Sequence, residues 1–158
     1  MSAPADPFEL QRFVDAQAGT PRFVDELRAG RKTSHWMWFV FPQIAGLGHS
    51  AMSKRFALSS LDEARAYLAH PVLGARLREC VALVSAHRDR DAVAIFGDID
   101  AMKLHSSLTL FARAAPEEPL VAAALQRFFG GAMDGATESK LAVIDDRGKS
   151  ATDRGAPK

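Results

Sequence analysis

Apolar residues along this chain recur mostly three and four positions apart, the spacing that gathers them on one face of a helix. Leu10, Phe13, Val14 and Gln17 share such a face behind Asp6-Pro7-Phe8-Glu9, which reads as a cap, a proline at the first helical position and a returning glutamate. Gly19-Thr20-Pro21 ends that helix and opens a second, with Phe23, Val24 and Leu27 inward. Gly30 closes it, because glycine enters the left-handed conformation of a helix end without steric cost. Ser60-Leu61-Asp62-Glu63 is a capping-box pattern before a helix through Ala69. His70-Pro71 opens a longer helix with Leu73, Leu77, Cys80, Val81 and Val84 on its inner face. A short helix from Asp91 to Phe96 closes at Gly97, and Asp98 caps the next, which runs to about Ala114. Pro116-Glu117-Glu118 begins the last long helix, ended by Gly130-Gly131, and Thr137 caps a final turn anchored by Leu141 and Ile144.

Two stretches depart from this simple amphipathic pattern. In residues 30–44, three cations or potential cations, Arg31, Lys32 and His35, sit beside Trp36-Met37-Trp38-Phe39-Val40-Phe41. That run fits a short helix from His35 to Phe41, capped by Ser34, or a buried strand. The sequence offers no β-branched partner run, and a lone strand leaves its backbone unpaired, so the helical turn is expected. In the helix after Gly97, Ile99, Met102, Leu104, Leu108, Leu110 and Phe111 surround nearly the whole circumference, leaving Asp100, Lys103 and Ser107 as a narrow polar stripe. The stripe forms an internal pair or walls a polar cavity, because an unpaired buried charge costs several kcal/mol, or it is a plain surface pair three residues apart.

The reading is therefore all-α, a single compact domain over 1–144 with about seven to nine short helices and a flexible tail over 145–158, where apolar anchors stop. Twenty basic and nineteen acidic side chains nearly cancel, so no global field draws nucleic acid or an acidic membrane. The lone Cys80 has no disulfide partner and reads as a small buried apolar residue. No signal segment or membrane span is visible, which makes the cytoplasm the expected location. The five histidines never pair on one helical face, so no metal site is expected, nor any cofactor. Gly-rich phosphate loops, the nucleophile elbow and the metalloprotease helix are all missing. Gly46-Leu47-Gly48-His49-Ser50 is either a plain connector or a loop whose backbone approaches a ligand closely.

Larger motifs add a family resemblance. Asp6-Pro7-Phe8-Glu9-Leu10-Gln11-Arg12-Phe13-Val14-Asp15-Ala16-Gln17, the segment Gly30 to Gln43, Gly46-Leu47-Gly48, Tyr67-Leu68-Ala69-His70-Pro71, Ile95-Phe96-Gly97, Asp100, Lys103-Leu104 and Ser106 to Phe111 are similar to the bacterial family known as domain of unknown function 1810. Its members are sometimes labelled calpastatin, yet this chain carries no calpain-inhibitor repeat. The family resembles a mainly helical fold. That fold in turn resembles the NADAR, or YbiA-like, group, which is linked to NAD and ADP-ribose metabolism and includes N-glycosidases.

The basic edge on the aromatic run of residues 30–44 itself suggests a pocket for a flat, anionic ligand, and the resemblance implies that such a ligand is nucleotide-like. Cleaving an N-glycosidic bond needs a carboxylate near the anomeric carbon, cations for phosphate and an aromatic surface for the flat group. Asp100 is the candidate for electrostatic stabilisation or water activation, and His35 is a candidate general base, although a histidine at a helix start is more often satisfied by backbone groups. Arg31 and Lys32 are candidates for phosphate, Trp36 or Trp38 for stacking, and Gln43, Lys103 and Ser107 for positioning. Two alternatives remain beside the enzyme: a non-catalytic module that senses a ligand or holds a protein segment, and a structural domain whose tryptophans are only core.

Overall fold

The carboxylate of Asp6 accepts the backbone amides of Leu10 and Gln11 at 2.8 and 3.0 Å. It therefore caps α1 (Gln11–Gly19) one turn later than the Pro7 start expected, after a turn in which Glu9 takes a positive φ of 54°. The computed structural model describes residues 5–155, with side chains described as far as 145. Nine more helices follow among the described residues: α2 (Phe23–Ala29), α3 (Met37–Val40), α4 (Ala51–Arg55), α5 (Leu61–Ala69), α6 (Leu73–Ser85), α7 (Ala92–Phe96), α8 (Asp98–Ala114), α9 (Pro119–Phe129) and α10 (Gly135–Gly155). The fold is all-α. The tail expected over 145–158 falls almost entirely on residues whose side chains, and from 156 whose backbone, lie outside the described residues.

Local signals account for most boundaries. Ser60 Oγ accepts the Glu63 amide at 3.1 Å, and Asp91 Oδ1 accepts the Ala94 amide at 2.8 Å. Gly30 and Gly130 close α2 and α9 with φ of 75° and 62°. Other boundaries shift. Ser34 does not cap α3: the helix is a single turn, shorter than the expected span and starting only after Trp36, and the Ser34 hydroxyl is given to Glu26 instead. Asp98 lies inside α8 rather than capping it. His70 Nδ1 accepts the amides of Val72 and Leu73, so the histidine, and not Pro71, opens α6.

α8 is the hub, packing against α5, α7, α9 and α10. Leu104, Leu108, Leu110 and Phe111 are buried on it, but Ile99 and Met102 are 72% and 71% exposed. This corrects the expectation of an almost wholly apolar wrap: the first two turns of α8 emerge from the core. Trp36 is fully buried, with ring centroids 5.9 Å from Phe23, 6.4 Å from Phe41 and 6.5 Å from Phe96. Each such ring contributes about 1.5–3 kcal/mol through burial.

Two polar devices hold the one-turn α3 and the loop behind it. Gln17, 1% exposed, donates from Nε2 to the Phe39 carbonyl at 2.7 Å, satisfying a group that so short a helix leaves without an internal partner. Arg12 donates to the carbonyls of Arg55 and Ala57, both at 2.9 Å, and pairs with the buried Glu63 at 2.9 Å. An isolated parallel bridge between Ile44 and Leu58 closes the segment between them, with Leu58 N bonded to Gln43 O at 2.9 Å. No helix among the described residues is long and apolar enough to cross a membrane.

Candidate functional site

Asp100 and Lys103 stand three residues apart on α8, so they share a face with the segment that precedes α3. Lys32 Nζ lies 2.7 Å from Asp100 Oδ2, and Lys103 Nζ lies 3.7 Å from Asp100 Oδ1. Of the three readings the internal pair is the one that holds, with a second ammonium added: one carboxylate is shared by Lys32 and Lys103. Lys32 also donates to the Ser34 carbonyl at 2.5 Å and sits 5.0 Å from the Trp36 ring centroid, with its side chain only 8% exposed. All its strong contacts are internal. Lys103 instead lies 5.0 Å over the Trp38 ring and keeps only the long contact to Asp100.

The two tryptophans, adjacent in the sequence run, divide between core and groove. The Trp36 indole donates to Glu26 Oε1 at 3.1 Å, as do the amides of Thr33 at 2.6 Å and Ser34 at 2.9 Å. Burial of the Glu26 carboxyl works to raise its pKa, but these donors and the Ser34 hydroxyl outweigh it and bring it down to about 2. Trp38 is half-buried and lines a chamber of about 200 Å³ with Gln43, Gly46, Gly48, Ser53, Lys54 and Phe56. A second chamber of about 320 Å³ is lined by Leu47, Ile99, Met102, Lys103, Ser106 and Asp134. Gln43, Gly48 and Ser53 border both, so the two form one groove with a shared wall.

Backbone geometry fixes that wall. Gly46 has a φ of 97°, where a side chain is strained, and a Cβ on Gly48 would lie 2.4 Å from Ser53 Oγ. The glycines of the 46–50 loop are therefore needed for close approach as well as for turning. On the far side, Asp134 Oδ2 accepts from the Thr137 amide and hydroxyl at 3.0 and 2.6 Å and from Ser106 Oγ at 3.2 Å, while Asp134 Oδ1 has no partner among the described residues. Asp134, not Thr137, thus caps α10.

Of the residues singled out from the sequence, Trp38, Gln43 and Lys103 line the groove, with Asp100 and Lys32 behind Lys103. Trp36 is core. His35 and Arg31 are exposed and line neither chamber, and the Arg31 guanidinium has no partner among the described residues. Ser107 is fully buried, lines neither chamber, and its hydroxyl has no hydrogen-bond partner. Sequence reasoning missed Ser53, Lys54, Ser106 and Asp134; only the Gly46-Leu47-Gly48 loop pointed toward their neighbourhood. Among the described residues no three His, Cys, Asp or Glu side chains converge as metal ligands would. Burial, then the nearby Glu79 charge, pushes the Cys80 thiol up to about 12, so it packs as an inert apolar group.

Fold and groove together define an all-helical domain with a mixed aromatic, cationic and acidic cleft beside its central helix. The chain belongs to the family described as protein of unknown function (DUF1810), whose model matches residues 7–141. Among solved structures it is similar to the conserved hypothetical protein Rv1873 from Mycobacterium tuberculosis, at 53% identity and a TM-score of 0.85, over 87% of this chain and 99% of that one. No curated protein matches the chain.

Proposed function

We propose that this protein binds a flat, anionic, nucleotide-like small molecule in the groove between the 43–57 segment and the start of α8. The observation that carries the reading is the pairing of two chambers across the Gln43, Gly48 and Ser53 wall, one with an aromatic floor and one lined by both Lys103 and Asp134. Trp38 and Phe56 offer faces and edges for a planar group. Lys54, whose ammonium makes no ion pair among the described residues, and Lys103 supply charge for phosphate. Asp134 Oδ1, Ser106 and Gln43 suit sugar hydroxyls. Arg31, placed outside the groove, and Lys32, committed to Asp100, are left out of the phosphate role.

Binding without turnover is the better supported form. Both Asp100 oxygens face lysines, which neutralises the carboxylate first expected to stabilise a ribosyl cation. A second reading, N-glycoside cleavage of ADP-ribose or nucleotide-derived substrates as the NADAR resemblance implies, is favoured by one observation: Asp134, a carboxylate with no ion pair among the described residues, lines the groove and can stabilise a developing positive charge there. The test is a thermal-shift and calorimetric series with AMP, ADP-ribose, NAD and inorganic phosphate, followed by product analysis. A ligand at a hundredfold excess over its Kd stabilises by about 2.7 kcal/mol. Stabilisation without products supports the binding role, release of a free base supports cleavage, and silence with every nucleotide removes both.

A further inference from the structure

Resting on that reading, we infer that Lys103 is the specificity-determining residue of the groove, the movable partition between its two chambers. Trp38 borders one chamber and Lys103 the other, and the ammonium of Lys103 lies 5.0 Å over the Trp38 ring. The fixed part of the wall, Gln43, Gly48 and Ser53, borders both chambers and is held by backbone geometry and by the Ile44–Leu58 bridge. The Lys103 side chain is the part with little to hold it. Its ion pair with Asp100 is 3.7 Å long, whereas Lys32 holds the same carboxylate at 2.7 Å. Lys32 therefore keeps Asp100 compensated when Lys103 leaves. The contact of the half-buried ammonium with the indole face carries no hydrogen bond, whereas a phosphate oxygen offers Nζ a charge-assisted one that is stronger.

A ligand confined to one chamber leaves this arrangement as it is. A ligand with a planar group on the Trp38 side, an anionic linker, and a second polar or planar group on the Asp134 side draws Nζ off the ring and onto the linker. The mouth of the second chamber suits the distal group, since Ile99 and Met102 present largely exposed apolar surface beside the Ser106 and Asp134 oxygens. Lys103 thus favours ligands that occupy both chambers, such as a nucleoside diphosphate joined to a second sugar, over those confined to one, such as a mononucleotide.

Calorimetric titration of wild type, Lys103→Met and Lys103→Arg with AMP and with ADP-ribose tests this, with circular dichroism as the check on folding. Wild type is expected to prefer ADP-ribose by about tenfold, Lys103→Met to lose most of that preference by weakening ADP-ribose more than AMP, and Lys103→Arg to retain the preference. Equal losses for both ligands in Lys103→Met, or an unchanged preference, overturn the partition role while leaving the binding reading intact. Loss of the preference in Lys103→Arg as well also overturns it, because the cation is still present there. Failure of wild type to bind either nucleotide overturns the binding reading and this inference together.

Discussion

Lys32 Nζ stands 2.7 Å from Asp100 Oδ2, tying the segment before α3 to the first turn of α8. Few contacts say more about how the aromatic run is oriented. With Lys32 drawn inward, its stem lies across Trp36, the run turns at Trp36, and Trp38 emerges on the groove side. Asp100→Ala leaves two ammonium groups facing each other with one side chain 8% exposed, and is expected to cost about 3 kcal/mol, the lower part of the range for breaking a buried pair. Lys32→Met is expected to cost less, because Lys103 remains beside Asp100. Denaturant titration of the two variants checks the order.

Trp36 and Trp38 should separate in one experiment. Trp36→Ala empties a fully buried site and is expected to cost about 3–5 kcal/mol. Trp38→Ala should cost clearly less, since the ring is half-buried, and should weaken nucleotide binding in the same titrations that leave a folded Trp36→Phe variant able to bind. Equal stability losses for the two alanine variants would contradict the division of the run between core and groove.

Glu26 gives the molecule an acid-sensitive brace. The carboxyl titrates near 4.5 when free and at about 2 in the folded protein, because the donors from Thr33, Ser34 and Trp36 favour the charged form over the opposing effect of burial. A depressed folded pKa contributes stability that is fully present above pH 4.5 and is lost as the pH falls toward 2. Thermal melts across that window should show a steeper decline for wild type than for Glu26→Gln, which cannot titrate. Parallel declines would remove the brace.

Ser107→Ala is expected to leave stability unchanged or raise it by up to about 1 kcal/mol, since a buried hydroxyl without a partner carries a desolvation cost that alanine does not. Ligand affinity should not move. A clear loss of either would mean that the hydroxyl is occupied in solution.

Gly48→Ala places a Cβ within 2.4 Å of Ser53 Oγ, inside the wall shared by the two chambers. Binding of any groove ligand is expected to fall by an order of magnitude or more, about 1.4 kcal/mol, while the helical circular dichroism signal persists. Gly19→Ala is the control, because nothing lies within 4 Å of its Cβ position.

What the sequence by itself determined is local. Helical spacing fixed the class, and the caps at Ser60 and Asp91 and the glycines at 30 and 130 set boundaries through bonds that span only a few residues. The same signals misled where a distant group competed for them: the Ser34 hydroxyl goes to Glu26 and does not cap a helix of its own, and Asp6 reaches past Pro7 to Leu10. Asp100 and Lys103 were legible as a polar stripe, yet their pairing with Lys32 was not, because a wheel shows one helix and not its neighbour. Nor could periodicity choose between Trp36 and Trp38, one turned to the core and the other to a groove by the Gln17 and Lys32 contacts that hold α3. Lys54 and Asp134 carry no pattern at all. They belong to the groove only because the Ile44–Leu58 bridge and the packing of α10 on α8 bring distant surface loops together, and burial of the core, rather than any local preference, decides that arrangement.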